Sequence, residues 1–148
     1  MKQAFFPYPV AIILLLFCSC SHSDDVSPWD QAVESFSLAY FNWDYPKAAS
    51  YATDGSQPWL RYAASQVTQE DVELLNTKAE QATVEVMPDV ELVNDSCVVA
   101  MVIVRDFLEM DSIDRKPVLS GEATFRFEVV LENGRWGVHL TSLPRSER

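Results

Sequence analysis

Asn133-Gly134 lies between two runs of alternating apolar and polar residues, Ala123 to Glu132 and Arg135 to Leu143. Asn-Gly is the strongest short signal for a two-residue hairpin, because such a turn needs positive φ at both central positions. The turn also sets a register. With Glu132 opposite Arg135, Leu131 faces Trp136, Val129 faces Val138, and Phe127 faces Leu140, all on one side. The other side receives Glu132 with Arg135, Glu128 with His139, and Arg126 with Thr141, each a favourable or neutral pair. Turn chemistry and hydrophobic pattern demand the same pairing. Any fold of this chain must therefore contain an antiparallel ribbon with a buried apolar side.

The two-residue period begins at Ala82. Val84, Val86, Val90 and Leu92 alternate with Glu85, Asp89 and Glu91, as on a half-buried strand. Pro88 lacks an amide hydrogen, which places this strand at an edge or puts a bulge in it. Cys97 to Val104 is almost wholly apolar and β-branched, the composition of a central strand. Four antiparallel strands are expected.

Upstream the period is helical. Ser27-Pro28-Trp29-Asp30 reads as a helix start with a capping box, and Trp29, Val33, Phe36, Tyr40 and Trp43 then form one apolar stripe. Asp44 can cap a short second helix through Pro46 and Tyr51 that ends near Asp54-Gly55. Ser56 before Pro58 opens a third, and Thr68 with Asp71 reads as another capping box before Val72, Leu74 and Leu75. Three to four helices on one face of a four-stranded antiparallel meander make an α+β domain.

This order, together with the phrase "FNWDYPKAASYAT" at residues 41–53 and a Trp in the last strand, resembles the nuclear transport factor 2-like superfamily. The resemblance implies a cone in which helices close a curved sheet. That superfamily holds isomerases, dehydratases, peptide carriers and lipoproteins, so fold does not select a function.

The start of the chain gives an address. Val10 to Phe17 is apolar behind Lys2, too short for a span of roughly 20 residues but suited to a secretory signal. "FCSC" resembles the lipobox of bacterial lipoproteins, with Cys20 as the lipidated cysteine because small Ser19 precedes it. The resemblance implies a diacylglyceryl thioether and palmitate-type acylation at Cys20. Ser21-His22-Ser23-Asp24-Asp25 resembles the acidic export tag of Bacteroidetes-type lipoproteins, and equally reads as a solvated tether. Residues 1–19 are thus expected to be the signal, 20–27 a tether reaching at most about 28 Å at ~3.5 Å per residue, and 28–148 one domain. The expected location is the outer membrane, lipid-anchored, on either its periplasmic or its exposed face.

Charge narrows the partners. The chain carries -11, and loss of Lys2 with the signal takes -11 to -12. Such a surface repels phosphate backbones, so nucleic acid is not an expected partner. The four glycines, Gly55, Gly121, Gly134 and Gly137, form no phosphate-cradling loop. No cofactor motif and no metal-ligand spacing occurs. Asp111 and Asp114 lack the spacing of a dedicated calcium loop. Cys97 has no disulfide or zinc partner in the mature chain and reads as a small buried hydrophobe.

Candidate site residues follow from these placements. His139 is the histidine of the folded part, but the register puts it beside Glu128 on the polar face, away from the helices. Trp29, Phe36, Tyr40, Trp43, Trp59 and Tyr62 (with Tyr51), closed by Phe127 and Trp136, could line an apolar pocket. The same residues also read as core packing, and both readings stay open. Cys97, Val99, Met101 and Ile103 alternate with Val98, Ala100, Val102 and Val104, so both faces of the central strand are apolar; one should meet the helices and the other suggests a homodimer through the sheet. The expected function is a lipid-anchored, non-catalytic envelope domain binding a small ligand, a peptide or a protein. The alternatives are a cone-pocket isomerase or hydrolyase, and a structural subunit of an envelope assembly.

Overall fold

A computed structural model describes residues 26–110 and 115–147. The signal segment, Cys20, the acidic tag, and Asp111 and Asp114 lie outside the described residues. Helices α1 (Pro28–Phe41), α2 (Tyr45–Ser50), α3 (Gln57–Gln66) and α4 (Gln69–Thr77) precede strands β1 (Thr83–Val86), β2 (Glu91–Asn94), β3 (Cys97–Glu109), β4 (Val118–Glu132) and β5 (Arg135–His139). A 3-10 turn, Asp54–Ser56, links α2 to α3. The chain is an α+β protein with one antiparallel sheet ordered β1-β3-β4-β5, β2 sharing the β3 edge with β1.

The hairpin forms at Asn133 (φ 52) and Gly134 (φ 76), and Glu132 pairs with Arg135, Leu131 with Trp136, Val129 with Val138 and Glu128 with His139. The ladder stops there. Phe127–Leu140 and Arg126–Thr141 are absent from it, because β5 ends at His139. The Leu140 N–H donates instead to Ser56 Oγ at 2.8 Å. Segment 51–56 covers this edge: Val138 donates to the Tyr51 carbonyl at 2.8 Å and accepts from the Thr53 N–H at 3.0 Å. An otherwise open strand edge is thereby closed.

The other edge holds two strands where one was expected, so the sheet has five strands rather than four. Met87 still donates to Met101, but Pro88 has no hydrogen to give and the chain leaves the ladder until Glu91. One expected strand becomes β1 and β2. The helix starts differ too. Thr68 and Asp71 form their capping box, whereas Ser27 makes no side-chain cap, so the expected Ser27–Asp30 box is absent. Ser56 does not cap α3, since its hydroxyl is spent on β5.

Helix α1 crosses the inner face of the sheet and touches β1, β3, β4 and β5. Val33 and Phe36 meet the row Ala100, Val102 and Val104 of β3 with Phe125, Phe127 and Val129 of β4 in one core. The outer face of β3 is covered differently. Glu85 and Glu122 grip Arg105 from the two neighbouring strands at 2.8 and 2.7 Å, and Arg126 of β4 reaches Glu91 of β2 at 3.6 Å. These pairs straddle β3, on whose outer face Val99 is 6% exposed and Cys97, Met101 and Ile103 are half-buried. The apolar outer stripe is thus partly covered within the chain itself.

Alternation on β3 breaks once. Asp106 is left-handed (φ 55), so Phe107, two residues after outward-facing Arg105, turns inward against Phe41 and Phe125 with ring centroids 5.2 and 5.5 Å away. That reversal puts an aromatic ring at the open end of the core.

Candidate functional site

The phrase from Phe41 to Lys47 builds one end of the site. Helix α1 stops at Asn42, and Trp43 takes the left-handed conformation (φ 61). The Trp43 N–H then reaches the Tyr40 carbonyl at 3.0 Å, and the Asp44 N–H reaches the Ala39 carbonyl at 2.9 Å. These two bonds are a Schellman stop, a place where glycine is usual and a bulky residue is strained. Asp44 next caps α2 by accepting from the Lys47 N–H at 3.2 Å. The reversal directs Tyr40, Trp43 and Tyr45 toward the same open end as Phe107.

A cleft of about 1420 Å³ opens there. Its floor is aromatic: Tyr40, Phe41, Tyr45, Phe107 and Phe125. One wall is α3 through Trp59 and Tyr62, continued by the start of α4; the facing wall is the end of β3 and the segment Ser142–Ser146. Arg115, Lys116 and Arg145 border it together with Glu70, Asp71 and Glu109. Helix α4 buries only Asp71, so it stands as an outer wall rather than a core element. A smaller depression of about 340 Å³ lies between Asn42 and residues 75–81.

Of the aromatic residues singled out in the sequence, Tyr40, Trp43, Trp59 and Tyr62 line the cleft. Phe36 and Phe127 do not: they are 0% and 2% exposed and meet edge to face in the core with ring centroids 5.6 Å apart. Trp29, Trp136 and Tyr51 pack against that core and are outside the cleft lining. Periodicity identifies an apolar stripe but not where the stripe runs past the end of the sheet, and this difference separates the two groups. Tyr45, Phe107 and the segment Ser142–Ser146 were not singled out. The positive-φ turn at Trp43 and the reversal at Asp106 bring in the first two, and neither has a sequence signature.

Two phenols dominate the floor chemically. Burial pushes the Tyr40 hydroxyl well above the ordinary tyrosine range, with the neighbouring Tyr45 adding to it, and burial alone does the same to Tyr45. Their rings meet edge to face at 5.6 Å. Both stay neutral at any ordinary pH, able to donate a hydrogen bond but not to act as a base. The acid next to them at the α4 start is occupied, since Asp71 accepts from both the N–H and the hydroxyl of Thr68 at 2.8 Å. Glu70 lies 3.5 Å from Lys116.

His139 is outside the cleft. It pairs with Glu128 across the strands as the register requires, but it is not away from the helical layer. Its Nδ1 lies 3.0 Å from Thr53 Oγ1, and Thr53 in turn is 2.8 Å from Ser56 Oγ. The imidazole thus fastens the α2–α3 connection to β5. Among the described residues no three His, Cys, Asp or Glu side chains converge on a metal position, and no helix is long and apolar enough to cross a membrane.

No protein family and no curated protein matches this chain. A solved structure described as an "Ntf2 like protein involved in plasmid conjugation" is similar over 80% of this chain and 47% of its own length, at 13% identity and a TM-score of 0.34. The present chain spans about half the length of that structure.

Proposed function

We propose that this chain is a lipid-anchored lipoprotein of the outer membrane whose nuclear transport factor 2-like domain binds a small ligand or peptide in the cleft without transforming it. The observation that carries the binding reading is the cleft floor, where two neutral phenols are set into an aromatic surface. Binding sites are typically apolar concavities with a few placed polar groups. Support for the domain type comes from the element order, helices first and an antiparallel sheet after, with α1 laid across the sheet. Support for the anchor comes from the apolar run, Ser19 and Cys20. An isomerase or hydrolyase would need a histidine or carboxylate aimed at a substrate beside Tyr40, and Asp71 in the same cleft lining is committed to Thr68. A homodimer through the sheet is a separate proposal, and the ion pairs over β3 reduce the apolar area it would bury.

Two experiments test these readings. Metabolic labelling with a palmitate analogue should mark the wild-type chain and not Cys20→Ala; equal labelling of both rejects the anchor. An apolar aryl-diazirine probe, photolysed on the purified full chain, should label peptides containing Trp59 and Tyr62 saturably. Labelling that does not saturate, or that maps to the outer face of β3 and β4, rejects the cleft as a binding site.

A further inference from the structure

Buried phenols ordinarily have a partner, and an exception calls for an explanation. Among the described residues, neither the Tyr40 nor the Tyr45 hydroxyl hydrogen-bonds to another protein group, whereas the caps and side-chain contacts around them do. Ser37 Oγ is the fully enclosed polar side-chain atom without a partner among those residues. The two phenol oxygens therefore have no partner among the described residues, and the space these residues border is the cleft. A phenol donates more strongly than it accepts, so a floor with two unused O–H donors favours something that brings the acceptor.

The surroundings decide which acceptor. Phe41, Phe107 and Phe125 complete the floor and carry no charge, so a carboxylate placed there would meet no countercharge. The burial that disfavours a phenolate at Tyr40 and Tyr45 disfavours any other anion in the same place. Arg115, Lys116 and Arg145 stand at the rim among Glu70, Asp71 and Glu109, which leaves the border mixed in sign rather than cationic. We infer that the cleft takes a flat, apolar molecule ending in a neutral carbonyl oxygen, which accepts hydrogen bonds from Tyr40 and Tyr45 while its body lies against the aromatic floor. This inference rests on the binding reading above and specifies its ligand class.

Three probes of one shape separate the possibilities: naphthalene, 2-acetylnaphthalene and 2-naphthoate, titrated into the purified full chain. Hydrogen bonds between neutral partners contribute about 1 kcal/mol each, so two of them should make the ketone bind about thirty-fold more tightly than the hydrocarbon. Tyr40→Phe and Tyr45→Phe should each lower that advantage to about five-fold, read as the ratio of ketone to naphthalene affinity within each variant so that any common change in the cleft cancels. A ketone no tighter than naphthalene, an advantage that survives both substitutions, or naphthoate as the tightest probe overturns the inference and leaves cleft binding standing. Absence of binding by all three overturns both.

Discussion

The side chain of Asn42 is hydrogen-bonded twice to the backbone of Ala82: its amide donates to the carbonyl at 3.1 Å, and its oxygen accepts from the N–H at 2.9 Å. A third bond runs to the Leu38 carbonyl at 2.9 Å. The end of α1 is thus tied to the residue where the sheet begins, 40 positions later in the chain. Ala82 is 1% exposed, so water cannot readily replace the lost partner. Asn42→Ala should cost about 2–3 kcal/mol, the range for stranding buried backbone groups. Asn42→Asp keeps the acceptor but turns a carboxylate oxygen on the Leu38 and Ala82 carbonyls at a helix C-terminus, so it should cost at least as much. Urea unfolding of the three proteins gives the order, and a loss below about 0.5 kcal/mol for Asn42→Ala would show the bonds to be dispensable.

Trp43 carries backbone strain at the cleft. With φ at 61, a side chain there costs roughly 1–2 kcal/mol that glycine does not. Strain of this kind collects at working sites because the surrounding structure holds it in place. Trp43→Gly and Trp43→Ala remove the same cleft wall but differ in the turn. Trp43→Gly should therefore be more stable than Trp43→Ala by about 1 kcal/mol, and both should weaken aromatic probe binding equally. The reverse stability order would mean that the turn relaxes without the indole.

Much of this was legible in advance, and the limits are instructive. The ribbon from Phe127 to Val138 could be read because turn type and alternation are both local. Thr68 and Asp71 were legible for the same reason, three residues apart. What escaped was non-local. Ser56 looks like a helix cap in sequence, yet β5 offers its hydroxyl better partners than the helix end does. The cover over β3 consists of Glu85, Arg105, Glu122, Arg126 and Glu91, each of which reads alone as an ordinary surface charge. The cleft depends on two left-handed residues, Trp43 and Asp106, that neither propensity nor periodicity would place there.

Ser37 and Ser56 are both 0% exposed, and their removal should have opposite consequences. Ser56 Oγ donates to the Val138 carbonyl at 3.0 Å and accepts from the Leu140 N–H at 2.8 Å. Ser56→Ala strands a buried donor and should cost about 2 kcal/mol. Ser37 Oγ has no partner among the described residues, so Ser37→Ala trades an unsatisfied hydroxyl for a methyl group and should be neutral or stabilising by about 1 kcal/mol. Thermal and urea unfolding of the pair distinguish them; equal losses would mean that Ser37 has a partner.

Cys97 and Glu128 share the outer face of the sheet, and their contact makes the thiol sluggish. Burial first, then the charge and hydrogen bond of Glu128, raise the Cys97 thiol above its ordinary value. The thiolate is the reactive form, so at a given pH Cys97 holds less of it than a free cysteine does. Alkylation by iodoacetamide at pH 8 should accordingly be slower than for free cysteine, followed on the Cys97 peptide by mass spectrometry so that Cys18 and Cys20 do not contribute. Glu128→Gln removes the negative charge that opposes ionisation. Its rate-against-pH profile should move to lower pH, giving a faster reaction at pH 8, while the limiting rate at high pH stays near that of the wild type. Superimposable profiles would mean that the carboxylate does not govern this thiol, and that burial alone protects it.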